Sequence, residues 1–477
     1  MRIFDQVWKT VLFYLLIFTG CCVCGYFIGL SQTIQPVSIG FIFIVVLLIF
    51  SKDFAAYLFL FLLFPFKTLL NYFFEDQVIA AIIRDGLLAL MTMKVFYDVA
   101  LTRKQFLPSP ISFPVFAFIG YSTAYLLGTE KGFIAVIDFR SKILYMAMLF
   151  LTVHYIDSRD RLMKTLYMLI GISFIISLLG VMQQIFGVEG MAKFGFKARF
   201  GFKDTGEYIV AQEHIFSNAL VGGLIPSAKI AIYFSLCLLH YRKKLPLLIT
   251  IALTGIVGLF FSFSRSAFIT MIAGIIWLSL FTKWKKLVII TCISVFAFFT
   301  LSTGWVYDRF EDIFHPFSNT SFVGRVYSYI YALKAFRQLA FGTGFGRVGG
   351  ALKSWDAGTT TTDTYYVTIF MTIGFPGFLI FMWIGVTLFI KGLLIVLKMR
   401  DPFFKLVAIG AYTYVCQQYI AIVAIDSFHT LPTAFYFWVC VGLLFALQEL
   451  DSNTPLAVTE EVKSTDSGNL VPVVNPS

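Results

Sequence analysis

FMTIGFPGFLIFMWIGVTLFIKGLLIVL, residues 370–397, contains a single charged side chain, Lys391. Coiled as an α-helix it would be about 42 Å long, more than the roughly 30 Å of a bilayer's hydrocarbon core. Comparable apolar runs recur near 11–30, 36–51, 54–74, 78–100, 108–128, 133–156, 164–187, 224–240, 245–262, 266–282, 287–304, 404–425 and 431–449. The predicted fold is therefore all-α, a polytopic membrane protein of about 14 (12–14) transmembrane helices. Runs of about ten alternating polar and apolar residues, which a membrane β-barrel requires, are absent.

Composition agrees. Across 477 residues the chain is 59% hydrophobic and 13% charged, outside the range of water-soluble globular domains. Its net charge of +11 sits in short turns that alternate with lightly charged ones. Lys52, Arg103 with Lys104, Arg159 with Arg161 and Lys164, Arg242 to Lys244, Lys283 with Lys285 and Lys286, and Lys398 with Arg400 fall on one side. By the positive-inside rule that side is cytoplasmic, and the charge reports topology rather than nucleic-acid binding. The first run, 11–30, reads as a retained signal anchor, because no small-residue cleavage site follows it.

The predicted organisation is N-terminal transmembrane helices over 1–187, a first external loop at 188–225, further helices over 226–304, a large external loop at 305–363, C-terminal helices over 364–450 and a disordered cytoplasmic tail at 451–477. The second half does not mirror the first, which argues against a transporter built from two related halves. All seven cysteines lie in apolar runs without metal-ligand spacing and read as small buried hydrophobes. The histidines likewise form no metal motif. No metal and no cofactor are expected.

The charges that remain are concentrated. The stretch from Trp305 to Gly377 gathers Arg309, Arg325, Lys334, Arg337, Arg347 and Lys353 against Asp308, Glu311, Asp312, Asp356 and Asp363. Within it, 322–340 has an amphipathic period, with Phe322, Val326, Tyr329, Leu333, Phe336 and Ala340 on one stripe. Such a helix suits the membrane surface. Gly342-Thr-Gly-Phe-Gly346 then ends it. Arg265, in Ser264-Arg265-Ser266, stands at an external turn where a helix N-terminus could help hold an anion. Arg84 with Asp85, and Asp138, Arg140 and Lys142, lie inside apolar runs, where charge is expensive unless paired or facing a cavity. As sequence neighbours Arg84 and Asp85 are expected to point in different directions, so their partners should come from other helices.

The order of these features resembles the O-antigen ligase and O-antigen polymerase superfamily: Ser264-Arg265-Ser266 at an external turn, Gly324-Arg325-Val-Tyr in a large loop, Gly342-Thr-Gly-Phe-Gly346, then Gly374-Phe-Pro-Gly377. The resemblance runs from about Pro226 to Gly377. It implies a GT-C-like glycosyltransferase of the bacterial inner membrane, multi-pass, its active site facing the periplasm or exterior. The implied substrate is an oligosaccharide on a polyprenyl (undecaprenyl) diphosphate carrier, met in membrane lipid, with a chain-length-regulating membrane protein as a possible partner and no nucleic acid. In ligases of this group the loop usually ends His-Asn-x-x-Leu; the same register here reads Asp363-Thr-Tyr-Tyr-Val367. That departure favours a polymerase of exopolysaccharide, capsule or O-antigen repeat units over a ligase moving finished polymer to lipid A-core. A flippase of lipid-linked oligosaccharide is the alternative from another class.

The chemistry suits the residue types. Glycosyl transfer from a diphosphate needs cations at the leaving group and a base at the acceptor hydroxyl, and arginines supply bidentate phosphate contacts without a metal. The catalytic candidates are Asp363, as base or acceptor-orienting group, and Arg325. Arg265, Arg199, Arg347, Arg84 and Arg140 are candidates for the substrate's charge, and Tyr365 and Tyr366 for stacking on its sugars. The alternative reading of Asp363 is an ordinary cap of the helix that follows it.

Overall fold

The computed structural model describes residues 53–66, 77–102, 111–130, 132–193, 223–239, 245–262, 264–282, 320–334, 336–348, 362, 364–423, 426–428 and 431–453. The predicted spans near 11–30, 36–51 and 287–304 lie outside these residues, as do Arg199, Asp363 and all but the first three residues of the 451–477 tail. Every helix or strand among the described residues is helical. In chain order the elements are α1 (Asp53–Leu63), α2 (Gln77–Thr102), α3 (Ser112–Leu127), α4 (Gly132–Ile143), a 3-10 turn (Leu144–Met146), α5 (Ala147–Tyr155), α6 (Arg159–Lys193) and α7 (Leu224–Leu238). They continue with α8 (Leu245–Phe260), α9 (Arg265–Phe281), α10 (Thr320–Lys334), α11 (Phe336–Leu339), α12 (Tyr365–Lys398), α13 (Pro402–Ala421) and α14 (Leu431–Asn453).

Among the described residues, three helices are each long and apolar enough to cross a membrane: Arg159–Phe186 within α6, Tyr365–Lys398 and Leu431–Asn453. Five shorter apolar helices accompany them, α1, α3, α7, α8 and most of α9. Two predicted spans are interrupted. The run 133–156 is divided by the 3-10 turn, and α12 breaks at Gly374. α6 begins before residue 164 and continues into the stretch expected to be external loop.

The helices other than α10 and α11 share one apolar core. α14 lies at its centre, packed against α5, α13, α7 and α12, and its residues from Leu431 to Leu447 are buried. The approach to α5 is close: a β-carbon at Gly442 would lie 2.5 Å from the Thr152 Cβ, the small-residue contact by which membrane helices pack without a hydrophobic force between them. α12 is the opposite case. Its Leu379, Trp383, Val386, Ile390, Leu394 and Leu397 are exposed at helical spacing, an apolar stripe that in water would be a liability and in a bilayer faces lipid.

The interior charges of α2 and α4 are paired. Arg84, 1% exposed, donates to both carboxylate oxygens of Asp85, at 2.8 and 3.1 Å, and lies 5.6 Å from the Phe64 ring centroid. This corrects the expectation that adjacent residues cannot meet, because the long guanidinium stem folds back along its own helix. The expected partner from another helix is there too: Arg140 of α4 lies 3.2 Å from Asp85. One turn on, Asp138 and Lys142 pair along α4.

Candidate functional site

The site is organised by the break in α12. Gly374 has φ +73 and ψ −176, a conformation essentially restricted to glycine, and Pro376 follows it. Proline lacks an N–H and its ring collides with the carbonyl four residues back, so carbonyls in the turn before it lose their helical donors. In a membrane such groups must find other partners. They do: the Met371 carbonyl accepts from the Thr343 N–H at 2.7 Å and the Thr372 carbonyl from the Gly344 N–H at 3.0 Å. The Ile373 carbonyl accepts from the Tyr121 hydroxyl of α3 at 3.2 Å. In the other direction the Phe375 N–H donates to the Ala340 carbonyl at 2.8 Å.

The segment Ala340–Gly346 therefore threads through the opened helix. Its Gly342, Gly344 and Gly346 all have positive φ, at 76, 94 and 84, which lets the chain coil tightly against another backbone. Its far end is tied to the buried ion pair of α4: the Gly346 N–H donates to Asp138 Oδ2 at 3.0 Å. Lys142 Nζ reaches the Val348 carbonyl at 3.4 Å and lies over the Phe345 ring, while Phe139 meets that ring edge-on. The Tyr125 hydroxyl donates to the Phe341 carbonyl. Asp138 and Lys142 thus hold the glycine segment, a role their depth in the sequence did not announce.

The segment in turn anchors α10, which carries Arg325. The amphipathic helix expected over 322–340 is present as α10 and the short α11, but the packed face differs from the predicted stripe. Tyr329 and Ala332 pack with Val348, Val367, Phe370 and Met371, and Phe336 of α11 stacks on Phe370 and meets Phe375 edge-on. Val326 and Leu333 are exposed instead, because the helix rests on the first turns of α12 and turns its other apolar edge outward. The Tyr329 hydroxyl donates to the Val423 carbonyl at 2.6 Å; burial pushes its pKa above the ordinary phenol value and keeps it a donor. Arg325, one turn earlier, is half-buried.

Arg265 is the first residue of α9, after an N-cap at Ser264 whose hydroxyl accepts from the Ala267 N–H. Neighbouring contacts fix which end of the bundle this is. α9 runs parallel to α7, Lys229 meeting Thr270 and Tyr233 abutting Gly274, and Gly223, just before α7, lies against Pro432 at the start of α14. Tyr365, the first residue of α12, donates its N–H to the carbonyl of Ile422, between α13 and α14, so Arg265 starts at the end of the bundle where α12 starts.

Two groups at this end escaped the sequence reading. Lys229 of α7 is 1% exposed, and its hydrogen bond among the described residues is to Thr270 of α9 at 2.8 Å. Thr270 in turn donates to the Ser266 carbonyl, linking the buried ammonium to the turn that carries Arg265. Asp426, just past the apolar run 404–425, is 6% exposed and accepts from Thr368 at 3.4 Å. The Thr368 hydroxyl also pairs with that of Thr362, and both Thr362 and Thr364, which flank Asp363, are buried. A cluster of hydroxyls thus joins Asp426 to the segment that holds Asp363. The sequence signal was an aspartate closing the apolar run IAIVAID, 420–426.

The other candidates differ in how far they are enclosed. Tyr365 is 2% exposed, its ring enclosed by Phe381 and Phe428, with no open face for a sugar in this structure. Tyr366 is half-buried and donates to the Tyr419 carbonyl at 3.0 Å. Arg84 is enclosed by its ion pair. Arg140 keeps about a third of its side chain exposed beside Asp85. Arg347 is solvent-facing, 3.6 Å from Glu130.

Residues 250–382 match the family model of the O-antigen ligases. The matched segment runs from α8 through the glycine segment and the break in α12, and over it the chain resembles the O-antigen ligase and polymerase superfamily. No curated protein sequence matches the chain.

Proposed function

We propose, from this likeness to the O-antigen ligases over 250–382, that the chain is a membrane glycosyltransferase that polymerises cell-surface polysaccharide repeat units carried on polyprenyl diphosphate. The observation that carries the reading is the anchoring of Ala340–Gly346 in the break of α12, which suspends α10 and Arg325 at the end of the bundle where α9 begins with Arg265.

In this reading the acceptor sugar hydroxyl attacks the donor's anomeric carbon as the bond from that carbon to the phosphate oxygen breaks. The diphosphate leaves with the bonding electrons and the configuration inverts. Arg265 and Arg325 bind the diphosphate, with Arg199 or Arg347 assisting, and stabilise its growing charge. Asp363 takes the hydroxyl proton or orients the hydroxyl. Asp426, through Thr368 and Thr362, is the neighbouring carboxylate that shares this task, and Tyr366 borders the sugar path.

The ligase reading has one observation in its favour, the description of the matching family. It differs in the acceptor alone. In cells, an Arg325→Ala strain is expected to export single repeats while losing polymer length. Long polymer that remains on the carrier lipid and is never attached would favour the ligase, and loss of export altogether would favour a flippase.

A further inference from the structure

At the end of α12 away from Tyr365, the helix leaves the bundle beside the last turns of α14. A cavity of about 340 Å³ opens there, lined by Lys391, Lys398 and Arg400 together with Gln448, Asp451 and Ser452. Charge alternation in the sequence assigns this end to the cytoplasm. Three cations face one carboxylate, and that carboxylate is already engaged: Asp451 accepts from the backbone N–H groups of Arg400 and Asp401, at 3.0 and 2.8 Å. Neighbouring Asp401 is also committed, capping α13 through Phe403 and Phe404 and meeting Arg159 at 3.3 Å. No ion pair of Lys391, Lys398 or Arg400 occurs among the described residues.

Charge of one sign around a concave site concentrates a counter-ion of the other. The surroundings indicate its source. Leu394, which also lines the cavity, belongs to the exposed stripe of α12 with Ile390 and Leu397, so the cavity opens beside the surface that faces acyl chains. Lys391 lies seven residues before Lys398, about 10 Å along the helix, and a lysine at that depth extends its ammonium toward the interface. Basic pockets between helices at the cytoplasmic face suit anionic headgroups.

We propose that this cavity binds the phosphate of an anionic phospholipid, at the opposite end of the protein from the glycosyl-transfer site and independently of it. Lys391, Lys398 and Arg400 contact the phosphate, Gln448 and Ser452 its polar remainder, and the acyl chains lie along Ile390, Leu394 and Leu397.

The test is native mass spectrometry of the full-length protein, purified from vesicles of phosphatidylcholine with phosphatidylglycerol and stripped stepwise by detergent. Wild type is expected to retain phosphatidylglycerol. The variant Lys391→Gln/Lys398→Gln/Arg400→Gln is expected to retain roughly a hundredfold less, as loss of about 1 kcal/mol for each of three cations would give. Lys391→Arg/Lys398→Arg, which keeps the charge, should behave as wild type. Lys398→Gln alone, at an exposed position, gives the same direction should the triple variant fold poorly. Equal retention by wild type and a folded neutralised variant overturns the proposal. So does displacement of the lipid by millimolar inorganic phosphate, which would make this a site for a soluble anion.

Discussion

Gly342 and Gly374 meet backbone to backbone. A β-carbon on Gly342 would lie 2.5 Å from the Gly374 nitrogen, and one on Gly374 would lie 2.5 Å from the Phe341 carbonyl carbon. Both residues also have positive φ, 76 and 73, so each glycine is required for space and for conformation. The break in α12 and the segment that fills it are thus one device, and damage to either half should release the other.

Gly374→Ala and Gly342→Ala are each expected to cost at least 1–3 kcal/mol from backbone conformation alone, with the steric clash added. Thermal unfolding of the detergent-purified variants, followed by size exclusion, would register a large fall in midpoint or loss of the monodisperse peak. Gly324→Ala is the control. That glycine is inside α10 and its β-carbon would meet nothing within 4 Å, so the variant should gain about 0.5–1 kcal/mol.

The buried pair beneath the segment gives a second expectation. Asp138→Ala leaves the Lys142 ammonium buried and the Gly346 N–H without its acceptor, and breaking such a pair costs about 3–5 kcal/mol. Adding Lys142→Met should recover most of the charge penalty but not the lost hydrogen bond to Gly346. A double-mutant cycle on thermal stability measures the difference; fully additive losses would contradict the pairing.

Lys229 separates stability from function. Among the described residues its ammonium is buried against the Thr270 hydroxyl and meets no carboxylate, and burying a charge without a counter-charge is unfavourable. Lys229→Met should therefore fold at least as stably as wild type. If the ammonium supports the potential at Arg265, donor KM should rise in this variant with little change in kcat. A marked fall in melting temperature would instead make Lys229 a packing element.

The two carboxylates, Asp363 and Asp426, are distinguishable by substitution. Asp363→Asn is expected to lower turnover by about 10²–10⁴, the usual contribution of a general base, with the fold unchanged. Asp426→Asn, which can still accept from Thr368, should give a smaller loss. A larger loss for Asp426→Asn, as turnover in a stable protein, would transfer the base role to Asp426.

How much of this was legible beforehand follows from the range of each interaction. Helical class and the amphipathic helix at Arg325 are properties of local periodicity, and both were readable. The break at Gly374-Phe-Pro376 was visible as a motif, but the partners of its carbonyls, Thr343 and Gly344, lie some thirty residues away, and no local pattern encodes them. The Arg84–Asp85 bond was misjudged because neighbour rules describe where helical side chains start, whereas a flexible arginine can turn back. Tyr365 seemed a sugar platform because interfacial aromatics commonly are. Phe381 and Phe428, which bury it, are brought there by the break and by the chain between α13 and α14. Asp426 was passed over for the same reason: it lies between α13 and α14, and its partner Thr368 is in α12.

The most direct measurement uses purified protein and a defined polyprenyl-diphosphate repeat unit as both donor and acceptor. Wild type is expected to lengthen the glycan on the carrier lipid, while Arg265→Ala and Arg325→Ala, folded and monodisperse, leave it at a single repeat. A wild-type protein that fails to elongate the repeat but transfers finished polymer to a different acceptor, or arginine variants that elongate at the wild-type rate, would contradict the account.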